Sequence, residues 1–383
     1  MKVCIDGSPI LGLQSGFYRY VSELIKNIAL IDVYNDYQIF FFLFNKNMRK
    51  NFRREMNKLP NQRNFSYCTT LIPRSVLDVL WNEFGFKFPR IELFTGKCDI
   101  FHSTSCWLPE VKKTKTVVTL YDLTVFKLPN LYQYSLKESE KIFKKISLYA
   151  DKIIAISENT KKDFIEIFGT DPQKIIVIPL GVSENFRPLQ NKERIKSALQ
   201  KYGIMCPYLL HTGTILLHKN LQTVIKVFGI LKEKFGIPHK LVIVGEKKRL
   251  NKVLYQVEIS PYIFEHIIFT GQISQEDLIS IYNGADLFIF LSLYEGFGLP
   301  PLEAMACGVP VVVSNVSSLP EVVGAAGILV NPLNIDEIVD AIIKIISDMK
   351  LKKELSEKGL KRAKEFSWQK TAIETLSVYK ELC

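Results

Sequence analysis

Short apolar runs alternate with amphipathic stretches along most of the chain. The runs are strand-sized, about four to eight residues, and rich in branched and aromatic side chains, which is typical of strands buried on both faces of a parallel sheet. In the stretches between them, apolar positions recur at spacings of three and four, as on one face of a helix. This alternation predicts an α/β protein in which helices connect parallel strands.

The alternation occurs in two blocks. Residues 179–188 are rich in proline and glycine and separate one block from the other. A chain of 383 residues is also too long for one ordinary hydrophobic core. We therefore predict two doubly wound domains, the first over residues 1–183 and the second over residues 190–366, with a last helix over residues 367–383.

Individual elements follow from the same pattern. Strands are predicted at residues 2–6, 37–44, 65–70, 99–104, 116–122, 152–156, 174–178, 208–212, 240–244, from residue 267, and at residues 286–292 and 309–314. Helices are predicted to end near residues 30 and 235, to cover residues 76–88, 132–149, 158–168 and 300–307, and to form most of the chain after residue 334.

Positive charge exceeds negative charge, because 50 lysines and arginines face 39 acids and give a formal net charge of +11. Such an excess suits nucleic acid, an anionic membrane or phosphorylated small molecules. We find no recognised nucleic-acid reader motif, so nucleic acid is not an expected partner, and a basic nucleic-acid-binding protein is the remoter alternative. No apolar run approaches the ~18 residues of a membrane span, and the N-terminus lacks the apolar core of a signal peptide. We therefore expect a cytoplasmic protein.

The excess charge is concentrated in residues 46–63. This segment contains seven lysines and arginines and the single acid Glu55, which gives a local charge of +6. If residues 46–58 form a helix, Met48, Phe52 and Met56 lie near one face and most of the cations flank it. This arrangement predicts peripheral binding to an anionic surface at the inner face of the membrane. The alternative is a solvated helix whose apolar side packs on its own domain.

Residues 295–310 combine paired carboxylates, loop glycines and a helix start between two predicted strands. Pro300 and Pro301 suit a first helical turn, and a glycine follows where this short helix would end. The positive end of the helix would face the carboxyl edge of the sheet, where open α/β folds bind ligands, so an anion site is predicted there. Glu295 and Glu303 can accept hydrogen bonds from sugar hydroxyls. The alternative is a surface acid and a partner of the helix dipole.

The sequence of this segment, EGFGLPPLEAMACGVPV from Glu295, closely resembles the signature of family 4 glycosyltransferases, in which two glutamates are separated by seven residues. The resemblance implies a GT-B fold, with two Rossmann-like domains facing each other across a cleft and the final helix crossing back onto the first domain. It also implies a retaining enzyme whose second domain holds most of a nucleotide sugar. By this resemblance Glu295 would contact the sugar and support positive charge at the anomeric carbon, and Glu303 would contact the ribose.

Further segments resemble the family in part. The loop after residue 212 is similar to the family's G-T-x-x-P-R-K-N, with His218 in place of arginine and Lys219 retained for the diphosphate. A surface charge is the alternative for Lys219, and a plain capped helix fits the loop near residue 273 as well as contact with the base does. The resemblance assigns donor binding to Gly16, Gly213, Thr214, His218, Lys219, Gly271, Ile273, Glu295, Gly296, Phe297, Gly298, Leu299 and Glu303.

Two strands of the first domain end in polar residues. The strand that ends in Tyr121 and Asp122 resembles the family's strand ending in His-Asp-Leu, whose histidine approaches the donor sugar. A phenol in that place can donate a hydrogen bond but is not a base near neutral pH. A role that needs an imidazole base is therefore not expected here. By the resemblance, catalytic roles are expected for Tyr121, Glu295 and Lys219. His102 and Asp122 are expected at the acceptor, with a hydrogen-bonded structural role as the alternative for His102.

Together these features predict a retaining glycosyltransferase, a hexosyltransferase, that moves a sugar from a nucleotide diphosphate sugar to a hydroxyl of a glycan or lipid-linked glycan. The motifs look most like those of bacterial mannosyl- and rhamnosyltransferases of surface polysaccharide synthesis, which favours GDP-mannose as donor. The sequence contains no Asp-x-Asp motif, so we expect no metal and no other cofactor. The main alternative is a GT-B-like epimerase that acts on the nucleotide sugar alone.

Overall fold

The structure is a computed structural model that describes residues 1–12, 16–83, 86–132, 136–205, 207–246 and 260–383, without the side chains of residues 82 and 83. Contacts between residues divide the chain into two units. Unit 1 comprises Met1–Leu123, Tyr134–Gly181 and Ser367–Cys383, and unit 2 comprises Thr124–Gln133 and Val182–Phe366. The chain therefore passes from one unit to the other more than once.

Each unit contains one parallel sheet. The strands are β1 (Lys2–Asp6), β2 (Asp36–Phe42), β3 (Phe65–Thr70), β4 (Ile100–Ser103), β5 (Lys115–Leu120), β6 (Lys152–Ala155), β7 (Ile175–Val177), β8 (Tyr208–Thr212), β9 (Lys240–Val244), β10 (Ile267–Gly271), β11 (Leu287–Phe290), β12 (Val311–Ser314) and β13 (Ile328–Val330). In unit 1 their order is β3-β2-β1-β4-β5-β6-β7, and in unit 2 it is β10-β9-β8-β11-β12-β13.

Helices connect most of the strands. They are α1 (Gly16–Ile31), α2 (Lys46–Met56), α3 (Arg74–Asp78), α4 (Glu92–Thr95), α5 (Thr124–Lys127), α6 (Leu136–Tyr149), α7 (Glu158–Phe168), α8 (Lys192–Lys201), α9 (Leu221–Phe235), α10 (Pro261–Glu265), α11 (Gln275–Gly284), α12 (Leu299–Ala306), α13 (Leu319–Val323), α14 (Ile335–Ser347), α15 (Met349–Ala363) and α16 (Trp368–Leu382). Many begin at a side-chain cap, as at Ser367, whose hydroxyl accepts from the N–H of Lys370.

The strand order reverses at one point in each sheet. The reversal lies between β1 and β4 in unit 1 and between β8 and β11 in unit 2. At such a point the connections leave for opposite faces of the sheet, and a crevice opens at the carboxyl ends of the strands, where open α/β sheets bind ligands. β8 and β11 pair directly, with Leu209 opposite Leu287. The loops that follow these two strands therefore begin side by side.

Buried apolar side chains hold the helices on the sheets. In unit 1, aromatic residues of β2 and β4 pack with Trp81 and Trp107, whose stacked rings have centroids 5.7 Å apart. The final helix α16 packs on α1, where the rings of Tyr20 and Trp368 lie 6.3 Å apart. In unit 2, α9 and α14 join the sheet in one buried cluster that includes Leu209, Phe228, Leu241, Ile289, Val312, Ile338 and Ile342.

The predicted class, with two doubly wound parallel sheets, is confirmed. The helix predicted at residues 76–88 is confirmed in part: α3 ends at Asp78, a π-helical turn follows over Val79–Glu83, and residues 86–88 are not helical. Residues 84 and 85 of that prediction, and residues 133–135 of the helix predicted from residue 132, lie outside the described residues. β13 is missing from the prediction, because a strand of three residues is too short to show a periodic pattern.

Candidate active site

Lys219 and Glu295 form an ion pair at the carboxyl edge of the unit 2 sheet. Lys219 ends the 3₁₀ turn that follows β8, and Glu295 lies in the loop that follows β11. Nζ of Lys219 lies 2.5 Å from Oε1 of Glu295, and the two side chains are 15% and 11% exposed. The ammonium also lies over the ring of Phe290, 5.4 Å from its centroid. The structure thus brings together Lys219, which is predicted to bind the diphosphate, and Glu295, which is predicted to contact the sugar.

Two serines in the loop after β12 hold the backbone of Glu295. The N–H of Glu295 donates to Oγ of Ser317 over 2.9 Å, and its carbonyl accepts from Oγ of Ser318 over 2.9 Å. Ser318 is fully buried. No sequence pattern marks these serines, because serine is common in loops and this contact depends on β12 lying next to β11.

The start of α12, shortly after Glu295, leaves backbone donors unused. Gly298 and Leu299 donate no backbone hydrogen bond within the described part of the chain. Pro300 and Pro301 come next, and they add no donor because proline has no N–H. Gly298 has a φ of 122°, and a Cβ there would lie 2.8 Å from Cδ2 of Leu319, so glycine is required. An anion at this helix would therefore meet few N–H groups and would need a side-chain cation as well.

Glu303 is a buried acid within α12, only 3% exposed. Its Oε2 accepts a hydrogen bond from the phenol of Tyr282 over 3.2 Å, and the same phenol lies 2.8 Å from Oγ1 of Thr212. Tyr282 lies on α11 and Thr212 at the end of β8, and no sequence pattern marks either residue. Glu303 is the fifth residue of α12 and so lies beyond the first turn, where the alternative places it as a partner of the helix dipole.

Glycines bring the loops after β8, β9 and β10 together. Gly213 donates to the carbonyl of Val244 over 2.9 Å, and Gly245 donates to that of Gly271 over 3.2 Å. A Cβ on Gly245 would lie 2.2 Å from the carbonyl oxygen of Gly213, so the two backbones touch. Of the other residues assigned to the donor, Thr214 is exposed, Ile273 is half-buried, and Gly296 and Phe297 are buried.

His218, which stands in place of the family's arginine, is 8% exposed. Its Nδ1 lies 2.5 Å from the hydroxyl of Tyr132, and its carbonyl accepts from the N–H of Leu293 over 2.7 Å. Tyr132 belongs to the segment Thr124–Gln133, which connects β5 to α6 of unit 1 but is part of unit 2. The sequence does not reveal this contact, because the pattern of a loop does not show which unit the loop joins.

His102 lies inside unit 1 and is not exposed. Its Nδ1 lies 2.6 Å from the hydroxyl of Tyr379 on α16, and its Nε2 lies 2.8 Å from Oγ1 of Thr119. Burial lowers the pKa of this histidine to about 3, so the ring is neutral at pH 7. Because both ring nitrogens already have partners, the geometry supports the structural alternative for His102 over a place at the acceptor.

Tyr121 is also buried, at the end of β5. Its hydroxyl donates to the carbonyl of Thr104 over 2.7 Å, and burial raises the pKa of the phenol well above its usual value. The single proton of the phenol is therefore occupied within unit 1 in this conformation. Asp122 beside it is half-buried, and Gly16 begins α1, with open space where a Cβ would stand.

The basic segment predicted at residues 46–63 contains α2, whose apolar side faces its own domain. The ring of Phe52 lies 5.1 Å from that of Phe41 on β2. Glu55 is buried, and its carboxylate accepts hydrogen bonds from the side chains of Tyr18, Arg54 and Lys58. The apolar stripe is thus part of unit 1, as the alternative prediction has it.

Three cations on the other side of α2 are exposed. Lys46, Lys50 and Arg53 follow one another at spacings of four and three, so they share one face of the helix. None of them makes a hydrogen bond or ion pair with another described residue. α2 therefore offers a charged face to solvent, whereas its apolar side packs on its own domain.

Over the described ranges, no helix is long and apolar enough to cross a bilayer.

Two glycosyltransferase family models together match most of the chain. The profile of the family described as "Glycosyl transferases group 1" matches residues 193–362, and that of "Glycosyltransferase Family 4" matches residues 36–186. With two parallel Rossmann-like sheets, these matches define a glycosyltransferase of GT-B fold. Within that class the chain belongs to family 4, as the motif that begins at Glu295 predicts.

Two relatives from Escherichia coli have related descriptions. "O-antigen chain mannosyltransferase B" is 29% identical, and the match covers 100% of both chains. "Serotype-specific mannosyltransferase WbdA" is 34% identical over 58% of this chain, and the match spans 28% of its own length.

A solved structure has a similar fold over nearly the whole chain. HepE from Anabaena, in complex with UDP-glucose, has a TM-score of 0.73 at 16% sequence identity, and the match covers 99% of both chains. At this identity the likeness shows the GT-B fold alone.

Proposed function

We propose that this glycosyltransferase moves mannose from GDP-mannose to a hydroxyl of a surface polysaccharide or its lipid-linked precursor, with retention at the anomeric carbon. The Lys219–Glu295 pair carries the proposal. It places a cation and a carboxylate 2.5 Å apart in the segments that follow β8 and β11, the two strands at the reversal point of the unit 2 sheet. Such a point is the usual ligand crevice of an open α/β sheet.

The groups around this pair support a nucleotide diphosphate as ligand. Lys219 can meet phosphate oxygens as a charge, and the N–H groups of Gly298 and Leu299 can donate to them at a helix start. HepE, which has a similar fold, is solved with UDP-glucose. On this proposal the diphosphate replaces Glu295 as the partner of Lys219, and the freed carboxylate turns to the hydroxyls of the sugar.

The reaction requires a leaving group that departs with negative charge. The bond between C1 of the sugar and the phosphate oxygen breaks, and a bond between C1 and the acceptor oxygen forms on the same face. The proton of the acceptor hydroxyl passes to the departing phosphate. Lys219 and the helix N–H groups stabilise the diphosphate, while Glu295 stabilises the positive charge that develops at C1. Glu303, held by Tyr282, is our candidate for the ribose hydroxyls.

The names of two relatives support the proposed sugar and acceptor. Both E. coli proteins are named mannosyltransferases, and the name of one refers to an O-antigen chain. At identities of 29% and 34% these names support mannose and a polysaccharide acceptor. In unit 1, Asp122 is the half-buried carboxylate that we propose for the acceptor hydroxyl.

A lipid-linked acceptor would have to be reached at a membrane. The exposed row of Lys46, Lys50 and Arg53 supports peripheral attachment to anionic headgroups at the cytoplasmic face. Because the apolar side of α2 packs on β2, this attachment would be electrostatic, without insertion of the helix into the lipid.

A donor panel tests the proposal. The protein is incubated with GDP-, UDP- and dTDP-sugars and a mannose-terminated glycan, and the products are examined by NMR. We expect an α-mannoside from GDP-α-mannose, with one GDP released per product. A β-linked product contradicts retention, and turnover with another donor alone contradicts mannose. Conversion of the donor to an epimer or to free nucleotide without an acceptor product favours the epimerase.

A further inference from the structure

Glu295 is held in place by two neighbouring side chains. The hydroxyl of Ser317 accepts from the N–H of Glu295, and the hydroxyl of Ser318 lies 2.9 Å from the carbonyl of Glu295 and 2.7 Å from that of Phe297. Both backbone polar groups of Glu295 are therefore bound by side chains from the loop after β12. Ser318 is fully buried, so water does not compete for these carbonyls from its side.

Ser317 has an unusual backbone conformation. Its φ is 52°, and among the described non-glycine residues only Cys106, Asn220 and Ser317 have a positive φ. A residue with a Cβ avoids this region unless its surroundings enforce it. The Ser317 hydroxyl accepts from the N–H of Glu295 and donates to the carbonyl of Val316 over 2.8 Å, so its one donor and one of its two acceptor sites are used.

The same conformation occurs beside the other member of the ion pair. Asn220 has a φ of 54° and directly follows Lys219, and its side-chain amide donates to the carbonyl of Pro332 over 3.1 Å. Strained backbone that is fixed by side-chain hydrogen bonds thus occurs next to the lysine and in contact with the glutamate. Strain of this kind is concentrated where a protein holds functional groups in a set geometry.

We propose that Ser317 and Ser318 are positioning residues that hold the Glu295 carboxylate at the sugar. The inference rests on the proposed function, because it gives Glu295 the task of facing the anomeric centre. A misplacement of about 1 Å at such a group can cost roughly a hundredfold in rate. The two hydroxyls bind backbone groups of Glu295 and not its carboxylate, so on this proposal they act through that backbone.

Two substitutions remove the hydroxyls separately. Ser317→Gly removes the hydrogen bond but tolerates the positive φ, so the backbone conformation itself remains accessible. Ser318→Ala removes the contacts with both carbonyls. For each variant we expect kcat to fall about tenfold to a hundredfold, while the dissociation constant for the nucleotide diphosphate changes less than about twofold. An unchanged kcat overturns the proposal, and so does an equal loss in nucleotide affinity.

A matched control lies at the other end of α12. Oγ of Ser356 donates to the carbonyl of Gly308 over 2.6 Å, so Ser356→Ala removes the same kind of bond in the same unit away from Glu295. We expect this variant to keep the parent kcat. A fall as large as that of Ser318→Ala would assign both effects to general loosening of unit 2 and overturn the positioning role.

A double-mutant comparison separates this inference from the function on which it rests. If Ser318 acts through Glu295, Ser318→Ala has little further effect in a Glu295→Gln background. Equal losses in both backgrounds overturn the positioning role while leaving the role of Glu295 intact. If Glu295→Gln alone keeps full turnover, the proposed function fails, whatever the serine variants do.

Discussion

Nζ of Lys219 and Oε1 of Glu295 lie 2.5 Å apart, although the two residues are separated by 76 positions in the chain. With so little solvent around it, the pair neutralises both charges before any donor is present. Binding of a diphosphate would therefore exchange one anionic partner of Lys219 for another. Substitution of Glu295 should therefore act mainly on turnover, whereas substitution of Lys219 should lower both nucleotide affinity and turnover.

Glu295→Gln should mainly reduce turnover. We expect kcat to fall roughly 10²–10³-fold, the scale of removing one preorganised electrostatic contact. Affinity for GDP should stay the same or rise, because no carboxylate then competes for Lys219. Steady-state kinetics and calorimetric titration with GDP measure the two effects. Glu357→Gln, in an exposed pair with Lys353, is the matched control. Near-parent turnover of Glu295→Gln would remove this residue from the mechanism.

Lys219→Ala should weaken both binding and turnover. The lysine meets the diphosphate in the ground state and in the transition state, and a charged hydrogen bond contributes about 1.5–3 kcal/mol. We therefore expect GDP affinity to fall roughly tenfold to a hundredfold, with a further loss in kcat. Lys353→Ala on α15 should leave both values unchanged. If GDP binds Lys219→Ala as tightly as it binds the parent, Lys219 is not the diphosphate cation.

Turnover should survive removal of divalent metal ions. The chain has no Asp-x-Asp motif, and the proposed donor site already combines Lys219 with the N–H groups of α12. Activity is measured after extensive dialysis against EDTA, and then with magnesium or manganese added back. Loss of turnover that either metal restores would show that leaving-group stabilisation is not provided by these groups alone.

The cations of α2 should bind anionic membranes. We expect the protein to sediment with vesicles that contain phosphatidylglycerol, but not with neutral vesicles, and to be released by salt. Three exposed cations contribute about 3 kcal/mol in total, so replacing Lys46, Lys50 and Arg53 by glutamine should weaken binding roughly a hundredfold. Arg49 and Arg54 are left in place, because one donates to the carbonyl of Leu43 and the other pairs with Glu55.

The control for this experiment replaces three exposed lysines of unit 2, namely Lys353, Lys361 and Lys364, by glutamine. It changes the net charge by the same amount at another place. Equal sedimentation of the two triple variants would show that total charge matters and that α2 has no special part in the binding.

Mild acid should destabilise the protein through its buried histidines. Burial lowers the pKa of His211 to about 4, and its Nδ1 donates to the carbonyl of Ile289 over 3.0 Å. The unfolded chain takes up the proton below about pH 6.5, while the folded unit does not until about pH 4, so stability falls as the pH falls through this window. His102 contributes in the same direction in unit 1.

Each histidine should contribute about 1.4 kcal/mol per pH unit to this loss. His211→Asn keeps a donor for the carbonyl without a titrating ring, and the pH dependence of its free energy of unfolding should be smaller by that amount. His266→Asn is the control, because the ring of half-buried His266 makes the same kind of bond with the carbonyl of Tyr262. Identical pH dependence of His211→Asn and the parent would contradict the assignment.

The glutamate motif and Lys219 are detectable in the sequence because they follow strands. A run of apolar residues followed by a glycine loop and a helix places its loop at the carboxyl edge of a parallel sheet, whatever the rest of the fold. The contact between Lys219 and Glu295 cannot be predicted in this way. It requires β8 to lie next to β11, and strand order is not a property of any local segment.

The residues that support the site have no recognisable pattern in the sequence. Tyr282, Tyr132, Ser317 and Ser318 act through one hydroxyl each, and their partners come from other loops and helices. Local periodicity cannot distinguish such a hydroxyl from an ordinary polar residue. In unit 1 the sequence predicts that Tyr121 lies at the end of a strand. It does not predict the hydrogen bond from its hydroxyl to the carbonyl of Thr104.

The segment Thr124–Gln133 gives unit 2 a second piece of the chain, so the two units are connected at four points. A protein fragment that ended at residue 181 would lack α16, and His102 would lose its contact with Tyr379. A fragment that began at residue 182 would lack Tyr132 beside His218. A single crossover near residue 182 between the genes of two relatives would therefore transfer an incomplete unit 2. Exchange of the complete unit requires two separate stretches of the gene, one for Thr124–Gln133 and one for Val182–Phe366, to be transferred together.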